Sequence, residues 1–116
     1  MALQEDISID QGTDYRFRLE LVETDGSKKN LTGYTAAGKI KETYNTSDSD
    51  AIEFAATFPD PRTDGILLLD LTNTQTDLLT ENRYVYDVEI SYFDSDSDQV
   101  VERIIQGKVD VSPSVT

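Results

Sequence analysis

Residues 81–112, ENRYVYDVEISYFDSDSDQVVERIIQGKVDVS, decide the fold. In the first half Tyr84, Tyr86, Val88, Ile90 and Tyr92 recur at every second position. Arg83, Asp87, Glu89 and Ser91 take the places between them, the period of a strand with one covered face and one wet face. A short acidic turn, DSDSD, separates this run from a second one. There the spacing predicts Val101, Ile105, Val109 and Val111 on the inward face, with Gly107 among them, and Val100 and Ile104 on the opposite face, exposed. Two such runs joined by a tight turn make a hairpin, and a hairpin with one apolar face needs a second layer over it.

Working outward, the same two-residue grammar returns. Ile7 and Ile9 alternate with Ser8 and Asp10 and stop at Gln11-Gly12, a short first strand and a turn. Tyr15, Phe17, Leu19 and Leu21 alternate with Arg16, Arg18 and Glu20, which predicts a strand over Tyr15–Leu21. Asp25-Gly26 supplies a reversal, because glycine tolerates positive φ. A strand over Thr35–Thr43 follows, with Ala36, Gly38 and Ile40 on one face and Lys39 and Lys41 on the other. The small residues at 36 and 38 would let a facing aromatic come close. Asn45–Asp50 is a polar loop, and Ile52, Phe54, Ala56 and Phe58 form another period-two set. Pro59 and Pro61 exclude a central strand over 59–65. Ile66–Leu71 is nearly all apolar, so it is buried on both faces or meets a neighbouring molecule on one of them. Residues 72–82 suit one or two helical turns.

At 116 residues, with 37% apolar side chains, the chain has the size and composition of one globular domain over residues 1–116, of which 113–116 read as a tail or linker. Cysteine is absent, so packing and hydrogen-bonded ladders must supply the stability. There are 23 acidic residues against 10 basic, a formal charge of −13, which repels nucleic acid and anionic membranes. The first ten residues are acidic where a signal peptide is basic and then apolar, and no run is long enough to span a bilayer. The chain is therefore expected to be soluble as made.

Histidine and cysteine are both missing, which removes the commonest general base, the thiolate nucleophile and the usual zinc ligands. Two carboxylates across a cleft would suffice for glycoside hydrolysis, but the acids here fall on outward strand positions and in turns. Asp94, Asp96 and Asp98 are the weak calcium candidate. Counting from Asp94, an EF-hand loop wants Gly sixth and Glu twelfth, and Gln99 and Ile105 stand there. Asp48 and Asp50 alternate with serines in the same way, so the plain reading is a solvated turn. No cofactor is expected. Tyr84 and Tyr92 are the candidates for a stacking or contact surface, and Val100 and Ile104 for a protein contact.

Five collinear pieces carry a resemblance: IDQGTDYRFRLEL, LTGYTAAGKIKE, GILLLDLTNTQTDLL, RYVYDVEI and RIIQGKVDVSPSVT. The chain resembles a family of small tailed-phage and prophage virion proteins, which are similar to the N-terminal domain of phage upper-baseplate proteins. Departures are Asn30 where that family has Asp, Asn82 where it has Gly, and Ile105-Gln106-Gly107 where it has a Leu-Glu-Gly type triplet. The resemblance implies a single immunoglobulin-like antiparallel β-sandwich of about seven strands, with one short helical turn before the closing hairpin. It implies a non-catalytic adaptor of the tail, baseplate or fibre attachment, made in the host cytoplasm and resident in the virion. Its partners would be other virion proteins, and it would act as a homo-oligomer or in several copies. The alternatives are a capsid decoration protein and a module that binds host glycans.

Overall fold

A computed structural model of the chain describes residues 3–115 and shows two facing β-sheets. The strands are β1 (Leu3–Gln4), β2 (Ile7–Asp10), β3 (Tyr15–Glu20), β4 (Thr35–Lys41), β5 (Ile52–Glu53), β6 (Ala55–Thr57), β7 (Ile66–Leu71), β8 (Arg83–Phe93) and β9 (Gln99–Ser112). One α-helical turn, α1 (Asn73–Asp77), lies between β7 and β8. In the larger sheet β9, β8, β4 and β5 are neighbours in that order, and β1 and β2 line the free side of β9. The smaller sheet runs β3-β7-β6. Together they are an all-β sandwich of immunoglobulin-like arrangement. Among the described residues no helix is long and apolar enough to cross a membrane.

The nine strands follow seven paths. β1 and β2 are one path interrupted at Glu5-Asp6, and β5 and β6 are one path that changes sheet at Phe54, which explains how an expectation of about seven meets nine. The pairings are antiparallel with one exception: β1 and β2 run parallel to β9. The chain crosses to the other sheet after β2 instead of turning back beside it, so its start lies alongside its end in the same direction.

The core is filled by the alternation. Leu67, Leu69 and Leu71 of β7 meet Val88 and Ile90 of β8 and Ile105 and Val109 of β9, all buried. Each such side chain contributes roughly 1.5–3 kcal/mol by leaving water. β7 is buried on one face only: Ile66, Leu68 and Asp70 are half-buried on the outer side, flanked in register by Glu20, Arg18 and Arg16 of β3 respectively. Gly38 takes the close approach expected of it. A Cβ there would stand 3.0 Å from the Phe54 ring, and the Phe54 N–H donates to the Gly38 carbonyl at 2.9 Å. With no disulfide between the sheets, Phe17 of β3 and Tyr86 of β8 make an edge-on contact across them, centroids 6.3 Å apart.

Helix α1 is held by a capping box. The Gln75 N–H donates to Thr72 Oγ1 at 3.2 Å, and the Thr72 N–H donates to Gln75 Oε1 at 2.9 Å. After it Leu79 enters the core and Leu78 faces water. Arg62 fastens the opposite loop. Its guanidinium donates to the carbonyls of Leu31 and Tyr34 and lies over the Phe58 ring, 4.7 Å from the centroid.

The break between β1 and β2 is a lock on β9. The Tyr86 hydroxyl donates to the Glu5 carbonyl at 2.6 Å, and Asp6 Oδ1 accepts from the Lys108 N–H at 2.9 Å. Gly107 lies beneath, and a Cβ there would collide with the Glu5 carbonyl oxygen. Gly107→Ala should therefore lower the unfolding free energy by about 1–3 kcal/mol. Guanidinium titration should show an earlier midpoint at unchanged slope, and a wild-type midpoint would mean that the lock contributes nothing.

Burial, and then the charges of Glu5, Tyr15 and Asp6, push the Tyr86 phenol above its ordinary value. The folded state thus holds this proton more tightly than the unfolded chain. Its contribution is intact below about pH 10, where a free tyrosine ionises, and is lost as pH rises through the folded value. Stability should therefore fall as pH rises above about 10. Tyr86→Phe should flatten the fall while costing about 1 kcal/mol at neutral pH through the lost hydrogen bond, as read by denaturant melts across the alkaline range.

Candidate interaction surface

The β8–β9 ladder has one residue too many on β9. Val88 faces Ile105 while Glu89 faces Arg103, so Ile104 has no opposite residue. This bulge reverses the parity of β9 at that point. From Ile105 to Val111 the odd residues face the core, whereas from Gln99 to Arg103 the even ones do. The expected faces of the first half of β9 are corrected accordingly. Val101 lies on the outer face and is 53% exposed, while Val100 is half-buried opposite Tyr92, and Ile104 is half-buried against the core.

The tyrosine candidates are corrected too. Tyr84 is 7% exposed, and its hydroxyl accepts from the Glu81 N–H at 3.0 Å, three residues upstream. That arrangement fixes the corner into β8, as in other immunoglobulin-like domains, and leaves no ring face for a ligand. Tyr92 is half-buried and packs against Tyr34 at 5.0 Å between centroids. These four residues do not form one surface.

A different set does. On the outer face of the larger sheet the ladders align Lys39 with Asp87 and Glu53, Lys41 with Val85, Val85 with Lys108, Glu89 with Arg103, and Arg83 with Asp110. This face carries five of the ten basic residues (Lys39, Lys41, Arg83, Arg103, Lys108) and five of the 23 acidic ones (Asp10, Glu53, Asp87, Glu89, Asp110). It is close to neutral in a molecule of charge −13. Its middle is an open depression of about 400 Å³, lined by Ala37, Lys39, Lys41, Val85, Asp87, Glu89 and Arg103, with Tyr44 at the rim. Arg103 reaches both Asp87 (3.3 Å) and Glu89 (3.8 Å). Those two acids leave from one strand and share one cation, which is a salt-linked row on an open sheet and not a pair opposed across a cleft.

Two further features adjoin it. Among the described residues no strand pairs with the free side of Gln99–Ile104, since β1 reaches only Ile105 and Gln106. Unpaired backbone there, beside Val101, can accept an added strand. At the hairpin tip Asp94 Oδ1 accepts from the N–H groups of Asp96 (2.9 Å) and Asp98 (3.0 Å), and Ser97 adopts φ 63°. One carboxylate oxygen of each acid lies within 4.8 Å of the others. Asp94 is therefore occupied as the cap of its own turn, with Asp96 and Asp98 beside it in solvent. Phe93 next to them is 70% exposed and Tyr44 is 75% exposed.

Alternation alone could show that Lys39 and Lys41 point outward. Bringing Arg103, Phe93 and Val101 to the same face requires the register and the bulge, which no local pattern carries. No protein-family model matches the chain, and no curated protein sequence is significantly similar to it.

Asp94→Ala should cost about 1 kcal/mol through the lost turn hydrogen bonds. Asp96→Ala and Asp98→Ala should each stay within about 0.5 kcal/mol of the parent in the same denaturant melts.

Proposed function

We propose that this chain is a non-catalytic structural component of a tailed-phage virion, an adaptor at the tail, baseplate or fibre attachment that binds other virion proteins. The observation that carries the reading is the β9 edge over Gln99–Ile104, with whose free side no strand pairs among the described residues, and with Val101 and Phe93 exposed beside it. An edge of this kind holds a partner through main-chain hydrogen bonds and uses flanking side chains for selection, which is binding work and needs no reactive group. The five collinear segments of the resemblance point the same way. They supply the virion context, while the open edge supplies a physical means of attachment.

The glycan-binding alternative rests on Tyr84 and Tyr92 as stacking platforms; burial of Tyr84 and the Tyr34–Tyr92 contact weaken both, and exposed Tyr44 is the ring that reading would have to use. Purified chain mixed with the baseplate, fibre and head proteins encoded beside it should co-elute with a tail component in size exclusion with light scattering. Val101→Asp, at an exposed position, should abolish the complex without unfolding the chain. Binding to heads alone would move the reading to capsid decoration, and binding to none of these proteins would overturn it.

A further inference from the structure

We infer that the outer face of the larger sheet is a self-association surface, on which two copies pack face to face about a two-fold axis with their hairpins antiparallel. In this arrangement the acidic tip of each copy lies over the cationic depression of the other. The inference rests on the assembly reading above and names the second copy as the occupant of this face.

Charge selects the face. Two molecules of charge −13 repel wherever their general surfaces meet, and a near-neutral face is where that cost is least. Charge also selects the arrangement. Three cations (Lys39, Lys41, Arg103) and two acids (Asp87, Glu89) line the depression, with Glu53 reaching Lys39 from beside it at 3.8 Å, and the tip carries Asp94, Asp96 and Asp98. Within one molecule these two regions cannot meet, because β8 runs straight from Glu89 to Phe93 and separates them by roughly 13 Å at about 3.3 Å per residue. Only a second copy can bring tip and depression together, and an antiparallel two-fold does so twice.

The exposed aromatic residues fall where such a contact would bury them. Phe93 adjoins the tip and Tyr44 rims the depression, so the antiparallel arrangement sets Phe93 of each copy near Tyr44 of the other. β4, β8 and β9 offer a face of roughly 36 by 14 Å, about 500 Å² per copy before side-chain relief is counted, which for two copies reaches the lower bound of about 1,000 Å² for a specific interface. A two-fold contact of one patch with itself closes at two copies and does not propagate.

Sedimentation velocity and light scattering on the intact chain test this directly. The expected mass is twice 13.0 kDa, with association weakening as salt is raised. A tip variant (Asp96→Lys with Asp98→Lys, sparing the Asp94 cap) and a depression variant (Lys39→Glu with Lys41→Glu) should each be monomeric alone. Mixed together they should form a heterodimer, because the native tip then lies over the native depression and the reversed tip over the reversed depression. Should the depression variant fold poorly, Phe93→Ser, at a solvent-open position, should by itself weaken dimerisation at least tenfold. A wild-type monomer at every soluble concentration, a ladder of higher masses, or failure of the mixed variants to associate would each overturn the inference. A dimer that binds no tail protein would keep this surface and sink the adaptor reading, whereas a monomer that binds one would do the reverse.

Discussion

The register of the β8–β9 ladder, with its unpaired Ile104, is the constraint from which the other features follow. Six pairs beyond the bulge carry Tyr84, Tyr86 and Val88 against Val109, Gly107 and Ile105, and so direct the long half of the hairpin into the core. On the other side of the bulge the same two strands turn Val101 outward and leave the β9 edge without a strand partner among the described residues. A strand that kept one parity throughout would put Val101 with Ile105 in the core and present Val100 to solvent. One added residue thus separates a packing segment from a presenting segment within a single hairpin.

Packing then has to close the sandwich without a covalent link between its sheets. The chain meets this with aromatic residues at the places where sheets and corners join. Phe17 and Tyr86 touch across the core, Tyr84 ties the corner before β8 to its own backbone, and Arg62 spans the loops at the opposite end over Phe58. The Tyr86 hydroxyl does a second job by holding the kink at Glu5, which is the only reason the chain tolerates no side chain at position 107. Burial of that hydroxyl is inexpensive because its one donor is satisfied.

Local physics was legible in the sequence, and nonlocal physics was not. β3, β4 and β8 announce themselves because their alternation is complete within six or more residues, and Asp25-Gly26 and the Thr72–Gln75 box are turn and cap signals that act over four. The apolar run at Ile66–Leu71 left its outer face open, and the reason is now visible: Arg16 and Arg18 on the neighbouring strand flank Asp70 and Leu68, so a half-apolar face is tolerated in solvent. The bulge at Ile104, the parallel course of β1 and β2, and the change of sheet at Phe54 depend on residues distant in the chain. For that reason Val100, Ile104 and Tyr84 were assigned to a surface that the folded chain builds from Phe93, Val101, Tyr44 and the cations of β4 and β9.

Charge gives those surface residues their meaning. An even scatter of 23 acids and 10 bases over the molecule would serve solubility alone and would leave every face equally repellent to a like copy. Here the alternating strand positions set half of the cations on one sheet face and leave most of the acids elsewhere. Mutual repulsion then acts as a selector, because it penalises contacts made through any other face and spares this one. The acidity of the chain and the neutrality of its broad sheet are in that sense one property, since the first gives the second its power to discriminate.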